Sequence, residues 1–598
     1  MLKPASLLVH RVRTLLKDRV AENRLLALAQ LEASVAIWPD TLVLELVEPL
    51  RRDENKDVAI AAAHALRRHT AERHMRPGRR RTRPLLGSVT AADLARVPEL
   101  AALDFEEVRG RLKTRIEPAL ARLCEQIDAA GEEAQGRDIE AAGALGWAGA
   151  LPTLRKAAQH PMLQVSCVKA LDRIGDKLAQ QTICALAAGD SHAGRHAAIE
   201  ALGGCTAADA IPLLTTSLRG GPEERLVALR ALTALGVARG WPLILSTMSD
   251  PEPLVVVAAV RGLGQIADEA FAGPLIVAAA HADERVRATV ASALGRVVAP
   301  EGRDTMLALC RDAAMRVAAN AVESSLCYYY DNSDARKLYF ELVKSPHSRV
   351  RANALVHLWP FNPEIAGQAL TKLIRSSKPG ERATGYWAAA QVATPQAVRE
   401  LVEAALPEDD PRAIERALDA IDTLDRADAL MPVRRALLAS QPRMRIRAAT
   451  VLGRVGKQAE LANLLDHLKK EQDARVKSAI LRAVAQLSPE EALSRLPKPG
   501  EAEADRTTAN VIDGLGEAGH VAAATYIQPL LSSRSARVRG SAVVAMVSLG
   551  HFESLDLLAE LQDKAPATAS WVITELGRRF TPAGLESNHA LARALADI

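Results

Sequence analysis

Aromatic residues are scarce in this 598-residue chain: six Trp, six Tyr and six Phe make up 3% of it. Cores of mixed or all-β folds lean on Phe and Tyr, so here Ala, Leu and Val must do the filling. Small side chains let helices approach closely, which favours an all-helical chain. Cysteine is sparse as well. Cys124, Cys167, Cys184, Cys205, Cys310 and Cys327 include no Cys-x-x-Cys pair and are too few for a disulfide scaffold. They read as buried reduced thiols of a cytoplasmic protein. Nor is there an excess of either charge: Lys+Arg 76 against Asp+Glu 72 leaves +4, which confines any anion binding to a local patch. Long apolar runs are missing too. Leu254–Val260 is far short of the roughly 20 residues that cross a bilayer. The N-terminus lacks the apolar stretch of a signal peptide, and Leu8, Val12 and Leu15 space instead as one face of a helix.

What the chain does have is repetition. The phrase Asp283-Glu-Arg-Val-Arg-Ala-Thr-Val-Ala-Ser-Ala-Leu-Gly295 returns in variant form from His347, Met444 and Ala536. Aligned on the branched residue between the basic ones, successive copies fall at Val255, Val286, Val317, Val350, Ala383, Ile414, Ile446, Val476, Thr507 and Val538, in steps of 30 to 33 residues. Looser copies lie near Val58, Ile139, Val165, Arg195, Leu226 and Thr568. Val286, Val290, Ala293 and Leu294 take the spacing of one helical face. A second apolar-periodic run completes each period, often opened by proline as in Trp241-Pro and Met431-Pro. Asp and Pro between the runs mark turns that also cap the next helix. Each period thus predicts a helical hairpin, and such hairpins bury their apolar faces only by stacking.

The phrase resembles the second helix of HEAT repeats, and the short period resembles the bacterial, phycobilisome-lyase-like subtype. The resemblance covers most of Gln135–Phe580 and implies a right-handed α-solenoid of about fifteen two-helix repeats with a ~31-residue period, about 150 Å along its curved axis at the helix-packing distance. The organisation expected is an N-terminal helical cap with one repeat-like copy (1–75), a basic Arg/Pro linker (76–90), irregular helices (91–134), the repeat array (135–580) and a C-terminal helical tail (581–598).

Several motifs invite chemistry. Leu254–Ala267 carries Gly-x-Gly-x-x-Ala after an apolar run and imitates a dinucleotide fingerprint, but the repeat register places it on a helix, with Gly264 as a helix-end glycine. His192, His196 and Glu200 share one helical face and read as an ordinary polar face rather than a metal site. No histidine is followed by Glu, so the His-Glu iron sites of the HEAT-like deoxyhypusine hydroxylases have no counterpart. Arg287, Arg351, Arg416, Arg447, Lys477 and Arg539 form a ladder, read as bonding turn carbonyls and acids of their own or the neighbouring repeat rather than a phosphate backbone. Arg76, Arg79, Arg80, Arg81 and Arg83 make the one concentrated positive patch, a candidate anion-binding segment. Tyr328, Tyr329, Tyr330, Trp359, Tyr386 and Trp387 concentrate aromatic surface where the steps widen to 33, and are the candidate partner-binding residues.

Together these features give a non-catalytic scaffold binding a protein or peptide in the groove of the solenoid, with no cofactor and no metal, as a monomer or weak oligomer. Two alternatives follow from the resemblance. One is nucleic-acid binding of the HEAT-like alkylpurine glycosylase kind, through the Arg ladder; the other is a bilin lyase.

Overall fold

A computed structural model describes residues 105–597 apart from 298, 330–332 and 496–501, together with scattered positions before 105. Arg76, Arg79, Arg80, Arg81, Arg83 and Tyr330 lie outside the described residues, as do the side chains of Tyr328 and Tyr329. Every regular element among the described residues is helical. No described helix is long and apolar enough to cross a membrane.

Packing divides the chain into two compact units, Met1–Pro77 with Ala238–Met444, and Gly78–Val237 with Arg445–Ile598. In both, short first helices alternate with longer second helices, and each second helix packs on the next. In the former unit Glu284–Val297 sits between Pro253–Ile266 and Met315–Tyr329. The phrase explains why. Val286, Val290 and Leu294 are wholly buried on one face, while Ala and Gly on the flank let the neighbour come close. Asp473 and Asp410 accept from backbone N–H groups in the first turn of their second helices, replacing bonds the helix cannot make internally. Proline sits in the first turn of Trp241–Ser246 and Met431–Ala436. Pro212 departs from that pattern and lies inside Ala207–Ser217.

Close approach is concentrated at one register. A Cβ on Gly264 would stand 2.7 Å from Ala293 Cβ, and one on Gly453 2.8 Å from Ala483 Cα. Gly264 is therefore not the helix-end glycine expected: it lies within Pro253–Ile266, and the left-handed residue that ends this helix is Ala267, at φ 57°. An L-alanine in that conformation is strained. Ala267→Gly should raise stability by about 0.5–1 kcal/mol, read as a higher urea midpoint, after allowing for the freer unfolded chain. A lower midpoint would show that the cap carries no strain.

Guanidinium clasps join successive repeats. Arg287 Nη1 donates to the carbonyls of His281 and Ala282 at 3.0 and 2.9 Å, while Nε and Nη2 reach Asp312 in the next repeat at 2.8 and 3.0 Å. Arg351 holds Ser345 and Pro346 carbonyls and pairs with Glu381. Arg382 does the same with Ser376, Ser377 and Glu408.

In the second unit the last repeat packs against the first. Pro566–Arg579 lies on Gly136–Ala144, with Ser570 Oγ donating to Asp138 Oδ1 at 2.7 Å. A Cβ on Gly577 would fall 2.3 Å from the Ala144 carbonyl oxygen. This joint repeats the one between Gly143 and Ala170. The first-helix row continues likewise: Leu558–Lys564 packs on Phe105–Ala130, with Arg122 Nη1 2.6 Å from Asp563 Oδ2 and Gln562 Nε2 donating to Gln126 Oε1 at 2.8 Å. The helix Phe105–Ala130, which sequence placed among irregular helices before the array, thus packs as a first helix. Within this unit the helices Gly136–Ala144 and Pro566–Arg579 therefore pack as neighbours.

Candidate functional site

Two of the candidate aromatic residues lie in the core. Tyr386 is wholly buried, and Trp359 is 8% exposed. The Tyr386 hydroxyl donates to Glu408 Oε2 at 2.7 Å, and Arg382 closes the group with Nε and Nη2 each 2.7 Å from the same carboxylate. Burial alone raises the Glu408 carboxyl; donors from Arg382, Tyr386 and the Asp410 N–H overcome it and hold it at about 2. Burial and the bonded carboxylate push the Tyr386 phenol upward. Nearby Tyr339 is buried with its hydroxyl 2.9 Å from Ser325 Oγ. Trp387 is half-buried. The expectation that Tyr386 and Trp359 meet a partner is therefore corrected: both rings are buried, and the Tyr386 hydroxyl is bonded inside.

The ladder is likewise resolved rung by rung. Arg287, Arg351 and Arg539 bond the turn carbonyls of their own hairpins, Arg539 reaching Ser533 O at 2.6 Å. Arg416 is exposed beside Asp419 at 3.5 Å. Where alignment placed the rung at Arg447, the clasp falls on Arg445, which pairs with Glu471 at 2.7 Å. Of these, Arg287, Arg351 and Arg445 hold neighbouring repeats together.

Other arginines face outward in a cleft. Three consecutive second helices, Pro442–Val455, Ala474–Leu487 and Ala502–Ala518, enclose about 490 Å³. Its walls carry Arg454, Arg475, Arg482 and Arg506 against one carboxylate, Glu517. Ala474, Ala479 and Ala483 form its apolar floor, leaving the room that larger side chains would fill. Arg475 lies 3.3 Å from Asp473, whose carboxyl it lowers, and Arg482 pairs with Glu517. Asn510 Nδ2 donates to Ser478 Oγ at 2.6 Å across two of the helices. Arg475 and Arg506 are exposed. Such an arrangement presents forked donors on a rigid frame to carboxylates or phosphates. Sequence reasoning missed it, because it followed the basic residue after each branched position, whereas Arg475 and Arg506 precede Val476 and Thr507 and Arg454 and Arg482 lie about two turns beyond theirs.

The decoys resolve as well. Gly262 and Gly264 lie on a helix with no strand before it, so no phosphate loop forms. Cys124, Cys167 and Cys310 are buried free thiols, which burial pushes up to about 11, 12 and 12. His192 and His196 stack with ring centroids 4.4 Å apart, and the carboxylate brought to them is Glu223, not Glu200.

Comparison with known proteins finds a family match for two stretches of the chain. Residues 241–327 and 398–485 match the family described as HEAT repeats. No curated relative matches the chain. Among solved structures, importin beta is similar at 14% identity over 95% of this chain and 84% of its own, with a TM-score of 0.38. Kap121p is 13% identical over 99% of this chain and 80% of its own, at 0.35. The phycocyanin lyase complex of CpcE and CpcF from Nostoc sp. PCC7120 is 18% identical over 46% of this chain and 94% of its own, at 0.24.

Proposed function

Since the chain is built of HEAT repeats, we propose that it is a non-catalytic scaffold whose second-helix face holds an acidic segment of a protein partner. The observation that carries this reading is the cleft with Arg454, Arg475, Arg482 and Arg506 on its walls. Guanidiniums carried on packed helices lose little freedom on binding, and a guanidinium can take a carboxylate through two parallel bonds. The apolar floor of Ala474, Ala479 and Ala483 suits the aliphatic part of a peptide between its acidic residues. The cleft spans three repeats, so the contact is multivalent by construction.

Binding of a fluorescent Asp/Glu-rich peptide to the full chain, followed by anisotropy, tests this. Arg475→Gln with Arg506→Gln should weaken binding at least about tenfold, since a charge-assisted bond contributes roughly 1.5–3 kcal/mol. Both side chains are exposed, so the melting temperature should hold. Unchanged affinity would remove the cleft from the function. Duplex DNA bound more tightly than the peptide in the same buffer, with the same loss in the double variant, would replace the peptide reading with a nucleic-acid one.

A further inference from the structure

We propose that His192, His196 and Glu223 form a zinc site bridging two consecutive repeats, independent of the peptide cleft. His192 and His196 are one turn apart at the start of His192–Ala201, so both imidazoles leave the same face of that helix. Glu223 comes from the first turn of the next second helix, Pro222–Leu235. One donor atom from each residue lies within 4.8 Å of the other two. Donors around a tetrahedral zinc stand about 3.4 Å apart, given bonds of about 2.0–2.1 Å. Side-chain rotation of little more than an ångström per donor covers the difference, and His192 and Glu223 are exposed and free to make it.

The surroundings fix the two helices at the height where these donors meet. Arg195, between the histidines, pairs with Glu224 at 2.7 Å, and both partners are largely shielded. That bond occupies the adjacent carboxylate and sets the register of Glu223 against the imidazoles. The rings themselves stack at 4.4 Å with 27° between their planes. Two ring nitrogens and one carboxylate oxygen suit zinc; calcium and magnesium require all-oxygen shells. A fourth position remains open to water.

Titrating zinc chloride into the metal-free full chain by calorimetry tests the site. One zinc per chain should bind, and His192→Ala with His196→Ala should weaken it by at least tenfold. Glu223→Gln should weaken it several-fold, with circular dichroism unchanged in all variants. Cobalt substitution should give a visible d–d spectrum without a sulfur-to-cobalt charge-transfer band. No zinc uptake by the unaltered chain, equal affinity in the double histidine variant, or a thiolate band in the cobalt spectrum would overturn the proposal. Equal affinity in Glu223→Gln would overturn the bridge between repeats.

Discussion

Gly577→Ala should destabilise the protein by about 3 kcal/mol, the upper part of the usual range for overpacking. The added methyl would lie 2.3 Å from the Ala144 carbonyl oxygen and 2.7 Å from its carbon. Both are backbone atoms of a helix, so no side chain can turn aside, and the two helices must separate. Separation would also draw Ser570 away from Asp138 and loosen the contact of Arg122 with Asp563. Gly110→Ala is the matched control. It lies within Phe105–Ala130 with nothing within 4 Å of the new methyl, and alanine there should stabilise by up to about 1 kcal/mol through helix propensity. Urea midpoints of the two variants should move in opposite directions. A Gly577→Ala midpoint equal to that of the unaltered chain would mean that the last and first repeats do not pack in solution.

Glu408→Gln should cost about 3 kcal/mol near neutral pH. The carboxylate sits at about 2, against an ordinary 4.5, and each unit of difference corresponds to about 1.4 kcal/mol. Its side chain is 2% exposed, so solvent screening takes little away. A depressed carboxyl stabilises the fold above its unfolded value and loses that contribution as pH falls through its folded one. Stability should therefore drop between about pH 4.5 and 2, and the fall should be shallower in Glu408→Gln. The amide keeps the shape but leaves Arg382 without its counter-charge, the costly half of breaking a buried pair. Urea midpoints measured from pH 7 down to about 3 check both the size and the slope. Parallel pH curves for the two proteins would assign the acid sensitivity to other carboxylates.

Much of the architecture was legible because a repeated phrase states its packing many times over. Branched residues at Val286 and Val350 and small residues at Ala293 and Gly264 recur in register, and the structure uses them for burial and close approach in turn. Gly264 was misplaced for a reason that concerns backbone geometry. Glycine near a helix end usually supplies positive φ, yet here Ala267 takes that conformation and Gly264 supplies the missing methyl. The ladder missed a rung by two residues because aligning on the branched position does not reveal which neighbouring arginine makes the clasp: Arg445 pairs with Glu471 where Arg447 was expected. Tyr386 read as surface because tyrosine in an alanine-rich array suggests contact. Its hydroxyl found Glu408, a residue 22 positions on whose burial no local pattern announces. The metal-capable pair was legible in His192 and His196, but its carboxylate came from the next repeat, where helical spacing within one helix says nothing.

The joint between Gly577 and Ala144 left no mark in the sequence, since it uses the same small residues as every other joint. It does leave one in time. Neighbouring second helices can meet as soon as about thirty more residues have been made, whereas more than 430 residues separate Ala144 from Gly577. Closing a loop that much longer costs about 2 kcal/mol more in chain entropy. At a synthesis rate of about 5–20 residues per second, the face of Gly136–Ala144 stays uncovered for roughly 20 to 90 seconds after it emerges. The face of Gly136–Ala144 thus waits for a complement made more than 430 residues later.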